Sequence, residues 1–256
     1  METSRGGSPG ADSATWATPW PGARVVVKES TVSTMSDAEA LARDGCPVGT
    51  VAAALFQQRG RGRVPGRTWR APAASSLLAT VVLRTPELGY PVNELPLRAG
   101  VAAALGIEDA AGIPLRIKWP NDVMWSGRKL AGLLCETHGE IALVGVGVNC
   151  SQESFPGALE VTACSILQAS GLRVEPPAVL SAILARLKSS ADSRTWREEL
   201  RCRLYRRGET VRVDLVGSEA AVEGRLVDVD ERGRLILQLD DGRRRAVSQG
   251  ELRSSS

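Results

Sequence analysis

The sequence predicts a mixed α/β domain followed by a small all-β domain, on three observations. Up to about residue 206, short apolar and β-branched runs alternate with alanine-rich helical patterns. From about Gly208 the helical patterns stop, and short strands succeed one another across Gly- and Asp-containing turns. The 256 residues fit one large domain or two unequal ones, and 43% apolar with 24% charged residues is a globular composition. The boundaries read as a low-complexity lead-in over 1–22, an α/β domain over 23–206 and a β domain over 207–256.

The lead-in is rich in Gly, Ser, Ala, Thr and Pro, has no apolar signal core, and is expected to be disordered. Val25 to Lys28 is a β-branched run and a strand. Ser36 can cap a helix over Asp37 to Arg43, with acidic residues in its first turn and Gly45 beyond its end. Thr50 to Phe56 reads as a buried strand, followed by a basic, glycine-rich loop to about Ala74. Ser76 to Arg84 is a strand and Pro96 to Leu105 a helix. Leu115 to Trp119 is a short strand stopped by Pro120. Val123 to Trp125 and Leu130 to Glu136 pair across Ser126-Gly127, and Ile141 to Val148 is a strongly apolar strand. Val179 to Leu187 and Thr195 to Leu204 are helical. The tail holds strands at Val211–Leu215, Ala221–Val229, Leu235–Leu239 and Arg244–Val247, enough for a small barrel or sandwich.

Composition excludes several functions. The 32 basic and 29 acidic residues are too balanced for nucleic acid as the main partner. Five dispersed cysteines without a CxxC argue for a reducing compartment. A single histidine, His138, placed in a turn, leaves zinc sites and histidine-based triads without ligands. No apolar stretch reaches the roughly 18 residues of a membrane span, so a cytoplasmic protein is expected.

Three constellations carry chemistry. The first runs from Gln57 through Gly60-Arg61-Gly62-Arg63 to Gly66-Arg67-Thr68-Trp69. Its glycines let backbone approach a ligand, its guanidinium groups suit phosphate or carboxylate, and Trp69 can stack on a base. It matches neither the P-loop nor the dinucleotide fingerprint, and a solvated basic loop explains it equally well. The second is Lys118-Trp119-Pro120-Asn121-Asp122 followed by Arg128-Lys129-Leu130-Ala131-Gly132. Only four of the 32 basic residues are lysines, and two of them fall here beside an Asp that can share Mg²⁺ with phosphate oxygens. If the flanking strands pair, Asp122 and Lys129 lie toward the same end. The third is Gly145-Val146-Gly147-Val148-Asn149, a strand whose two glycines open one face to close approach. Together they point to a nucleotide-phosphate enzyme that also handles a carboxylate.

In this order, the three constellations resemble the biotin–protein ligase family. Ser33-Thr34-Met35 falls where that family has Ser-Thr-Asn, and Ala163-Cys164-Ser165-Ile166 where many members have Ala-Thr-Ser-Leu. The resemblance runs from about residue 25 to the C-terminus. It implies a mixed sheet flanked by helices and an SH3-like C-terminal barrel. It also implies two half-reactions: biotin and MgATP give biotinyl-5′-adenylate and pyrophosphate, and a lysine of a biotin carboxyl carrier protein then takes the biotinyl group. By position, Ser33, Thr34, Gln57, Gly60, Arg61, Arg63, Lys129 and Gly147 would line the biotin site. Arg67, Trp69, Lys118, Asn121, Asp122, Lys129 and Asn149 would serve ATP, with Asp122 near Mg²⁺. Lys129, Arg61 and Arg63 would be catalytic, offsetting the repulsion between a carboxylate and the α-phosphate.

The chain departs from the family pattern at Met35, at Arg59, where the family often has Ala, and at Val64-Pro65, which lengthens the loop by one residue. Some members begin with a helix-turn-helix domain; the short lead-in leaves no room for one, so a monofunctional ligase without DNA binding is expected. Many relatives pair through sheet edges, which keeps a homodimer open. A lipoate or octanoate ligase, a non-catalytic biotin binder and an RNA-binding protein are the alternatives.

Overall fold

The computed structural model describes residues 15–64, 66–190, 195–217 and 219–254. Most of the lead-in, Pro65 of the basic loop and Ser218 of the tail lie outside the described residues. In chain order the α/β region contains β1 (Val25–Thr31), α1 (Thr34–Arg43), β2 (Val51–Gln57), β3 (Gly60–Arg61), β4 (Thr68–Trp69), β5 (Ser76–Arg84) and α2 (Leu95–Ala111). It continues with β6 (Arg116–Lys118), β7 (Asp122–Trp125), β8 (Arg128–His138), β9 (Ile141–Asn149), α3 (Leu159–Thr162), α4 (Ile166–Ser170), α5 (Pro176–Ser189) and α6 (Trp196–Arg203). The tail holds β10 (Thr210–Leu215), β11 (Ala221–Val229), β12 (Leu235–Gln238), β13 (Arg244–Val247) and β14 (Gly250–Ser254).

Seven strands form one mixed sheet in the order β1-β2-β5-β9-β8-β7-β6. β1 and β2 are parallel, joined by α1 as a crossover, and the other pairings are antiparallel. Both faces of the central strands are covered, which is why β5 reads as a continuous apolar run rather than an alternation. On one face Ala52, Val82 and Leu143 pack against Met35, Ala38 and Ala42 of α1. On the other, Leu77, Ala79, Val81 and Leu83 belong to the large core shared with α2 and α5.

α2 and α5 cross closely because Gly106 has no side chain: a Cβ there would lie 2.6 Å from the backbone of Ile183. Gly106→Ala is therefore expected to destabilise the fold by about 1–3 kcal/mol through overpacking. Gly100→Ala, whose nearest neighbour is at 3.7 Å, should be neutral or stabilising by up to about 1 kcal/mol. Urea unfolding of the two variants checks the contrast.

Several expectations need correction. The first helix begins at Thr34, one turn before Asp37, because Ser33 is already extended and its carbonyl accepts from Asp37 N. Ser36 lies inside the helix. α2 runs six residues past Leu105 and stops at Gly112, which takes the left-handed conformation, φ 66°. The basic loop is partly ordered as the small β3–β4 hairpin. The short helices α3 and α4 were not foreseen; α4 is fixed by a capping box between Ser165 and Gln168.

The end of the lead-in is also not free. Thr18 Oγ1 donates to Gly49 O at 2.8 Å, Lys188 Nζ donates to Pro19 O at 2.7 Å, and Trp16 and Trp20 pack on the core. The tail is a five-stranded antiparallel sheet, order β13-β12-β11-β10-β14. The expected SH3-like barrel is not found closed: β14 pairs with β10, β13 pairs with β12, and no pairing among the described strands joins the two ends.

Candidate active site

The site is built on the α1 face of the sheet, where β8 and β9 carry glycines instead of side chains. Gly132 and Gly147 are direct cross-strand partners, so two adjacent positions are bare. The Trp69 indole lies on that patch: a Cβ at Gly147 would come within 2.9 Å of it, and one at Gly132 within 3.1 Å. Two residues along β9, a Cβ at Gly145 would meet Met35 Sδ at 2.9 Å. The glycine pattern of β9 is thus explained by what approaches from α1 and from the basic loop.

Lys129 reaches the same face through a register irregularity. β7 and β8 pair Asp122 with Gly132 and Val123 with Ala131, then Met124 with Lys129, so Leu130 is an extra residue. Such a bulge reverses the inside–outside alternation and turns Lys129 to the side of Asp122. Lys129 Nζ lies 2.6 Å from Asp122 Oδ1 and 5.6 Å from the centre of the Trp69 ring. The turn before Asp122 contains a cis Trp119–Pro120 bond. Asn121 ties this turn to β8, its Nδ2 donating to Leu133 O at 2.8 Å while its carbonyl accepts from Leu133 N. Burial lowers the Lys118 pKa, with Asp122 and Glu251 pulling the other way.

The other expected residues are held around this centre. Gln57 Oε1 accepts from Thr34 N at 2.8 Å and from Thr34 Oγ1 at 3.1 Å. Ser33 Oγ is buried without a partner among the described residues. Arg61 donates to Ser36 Oγ at 3.0 Å and lies 3.4 Å from Glu136. Arg63 donates to Gly250 O at 2.8 Å, and Arg67 engages both carboxylate oxygens of Glu251, at 2.5 and 2.9 Å. Asn149 is buried, donating to Cys164 O at 3.0 Å and accepting from Gln152 at 3.2 Å.

These residues border two connected spaces. The larger, of about 400 Å³, is lined by Arg61, Arg63, Arg67, Trp69, Lys118, Asn121, Asp122, Lys129 and Asn149. The smaller, of about 70 Å³, is lined by Ser33, Thr34, Met35, Gln57 and the three glycines 132, 145 and 147. Arg61, Arg63, Trp69, Asn121 and Lys129 border both. Of the expected residues only Gly60 lines neither; its place is structural, since a Cβ there would lie 2.5 Å from Trp69 O across the β3–β4 pair.

The larger space is strongly cationic, with six Arg and Lys side chains against Asp122 and Glu251. Its volume is that of a small-molecule site. The smaller space carries charge only where it meets the larger one, at Arg61, Arg63 and Lys129, and the rest of its polar lining is hydroxyl and amide groups. An elongated acid lying in both would bring its carboxylate to Lys129, beside the space suited to a polyphosphate.

Phe155, Leu159, Ala163, Glu251 and Leu252 also line the larger space and were not foreseen. Phe155 is one of only two phenylalanines, a faint signal. Glu251 and Leu252 come from the tail, and nothing local in their sequence marks them.

Comparison with known proteins agrees with this geometry. Residues 27–153 match the biotin/lipoate A/B protein ligase family, and residues 208–251 match the biotin protein ligase C terminal domain. The chain is 33% identical over 240 residues to the biotin--[acetyl-CoA-carboxylase] ligase of Mycobacterium tuberculosis, covering 88% of this chain and 87% of that protein. It is 35% identical over 170 residues to the bifunctional ligase/repressor BirA of Bacillus spizizenii, an alignment spanning about half (52%) of that relative's length. Its fold superimposes on a biotin protein ligase from Aquifex aeolicus, solved in complex with biotin and ATP. The TM-score is 0.79 at 25% identity, over 90% of this chain and 99% of that one.

Proposed function

The chain belongs to the biotin/lipoate A/B protein ligase family, and on that premise we propose that it is an ATP-dependent biotin–protein ligase acting in the cytoplasm on a biotin carboxyl carrier protein. The observation that carries this reading is Lys129 on the wall shared by a small chamber floored by hydroxyl and amide groups and a larger cationic one. The biotin ring system occupies the small chamber, hydrogen-bonded by Ser33 and the Thr34–Gln57 pair, with its valeryl chain directed at Lys129. At about 70 Å³ the chamber is smaller than a typical ligand pocket, so the Trp69 indole shifts from Gly132 and Gly147 to admit the acid.

ATP fills the larger chamber. Arg67 and Lys118 bind its phosphates, Asn121 and Asn149 its polar groups, and Trp69 its base. A biotin carboxylate oxygen attacks the α-phosphorus, the bond to the β-phosphate oxygen breaks, and pyrophosphate leaves. Arg61, Arg63 and Lys129 offset the repulsion between the two anions and stabilise the charge of the transition state. The acceptor amine then attacks the mixed-anhydride carbonyl; AMP leaves, an amide forms and the amine proton passes to solvent. The five-stranded tail serves as the SH3-like module of the family, closing one wall through Arg63–Gly250 and Arg67–Glu251.

The donor set fits Mg²⁺ bound together with the nucleotide. Asp122 faces the chamber, and the described residues contain no group of three or more His, Cys, Asp or Glu that would hold a metal alone. When bound, the ion neutralises phosphate charge. Mass spectrometry tests the whole reading: biotin, ATP and Mg²⁺ should add one biotinyl group to a biotin carboxyl carrier domain. Chelation should abolish the addition without unfolding the enzyme. A carrier left unmodified by folded enzyme would overturn it.

A further inference from the structure

A second groove, of about 390 Å³, adjoins the site. It is lined by Asn93, Pro96 and Leu97, by Trp119 and Pro120, and by the Arg232–Arg234 turn with Ser248. Trp119 and Pro120 also wall the larger chamber, so an occupant of the groove touches the site from outside. Trp119 Nε1 donates to Gly233 O at 2.9 Å, which fixes the turn against this dipeptide.

The arginines of the tail are not all alike, and one that differs, Arg232, lines the groove. The other arginines of the tail sheet are each bonded to a carboxylate or a carbonyl, as Arg234 is to Asp230 and Arg207 to Val227 O. Arg232, Arg244 and Arg245 are exposed and have no such partner among the described residues. Arg244 and Arg245 lie on β13, an edge strand that pairs only with β12. The Leu235–Val247 pairing brings the last residue of β13 to the turn that carries Arg232, while Arg244 and Arg245 stand at the other end of the strand, opposite Gln238 and Leu237. An open strand edge flanked by unpaired cations is a surface for an acidic, extended partner segment.

We propose that the β13 edge, with Arg232, Arg244 and Arg245, docks an acidic face of the lysine-bearing carrier protein and holds it beside the shared Trp119–Pro120 wall. This rests on the ligase reading above. None of the three arginines touches either chamber, so acceptor docking is separable from adenylation.

The test is the full chain with all three arginines changed to glutamate, assayed with the biotin carboxyl carrier domain of an acetyl-CoA carboxylase. Pyrophosphate release from biotin and ATP should stay within about twofold of the parent. The KM for the carrier domain should rise about tenfold or more at low salt, the difference shrinking at high salt, because peripheral charges act through long-range attraction. An unchanged KM in the folded triple variant would overturn the proposal. So would loss of single-stranded RNA binding with carrier kinetics unaltered, which would assign the edge to nucleic acid. Anisotropy of a labelled carrier domain reads docking without adenylation. A chain that binds the carrier through these arginines but releases no pyrophosphate would contradict the ligase reading and leave the docking surface standing.

Discussion

Lys129→Ala is expected to lower pyrophosphate release by about a hundred- to a thousandfold or more, the cost of removing a preorganised charge from a transition state. Lys129 is the cation common to the two chambers that a bulge has turned onto the Asp122 side of β8. Its removal should affect turnover far more than binding, because the repulsion it offsets peaks when the carboxylate meets the α-phosphate. The fold should survive. Lys129 and Asp122 are both partly exposed, and such a pair contributes about 1 kcal/mol or less. Steady-state pyrophosphate release, with urea unfolding as control, checks both halves; near-normal release by a folded variant would remove Lys129 from the chemistry.

Gly147→Val should raise the KM for biotin about ten- to a hundredfold, or about 1.4–3 kcal/mol of lost binding. A Cβ at this position already approaches the Trp69 indole to 2.9 Å, and the valine methyls would fill the patch that the acid's ring system needs. Valine suits a strand, so the effect on stability should stay within about 1 kcal/mol. The KM for ATP should change less, since Gly147 borders only the smaller chamber. Equal biotin KM values for parent and variant would place the acid elsewhere.

Much of this arrangement was legible before the fold was known. Apolar and β-branched runs located every strand of the large sheet, most plainly β5, because a strand buried on both faces must be apolar throughout. Ser76–Arg84 and Ala221–Val229 match their strands residue for residue. The Asp122–Lys129 juxtaposition followed from reading a hairpin across Ser126-Gly127.

What escaped has physical causes. The bulge at Leu130 decides which way Lys129 points, and no residue type announces a bulge. Helix α2 continues through Gly106 because α5 needs the space there, a tertiary reason invisible in a local window. Glu251 and the Trp119–Gly233 contact join residues more than a hundred positions apart. The first helix starts early because Thr34 is held by Gln57 and Thr80, whose proximity the sheet alone creates.

The most direct test of the central claim is pyrophosphate release from MgATP with biotin, lipoate or octanoate supplied one at a time. The two-chamber account predicts release with biotin alone. The small chamber's hydroxyl and amide floor suits a polar ring system, and the Arg61–Arg63–Lys129 wall accepts its carboxylate. Release with lipoate or octanoate but not with biotin, or binding of biotin without release, would contradict it.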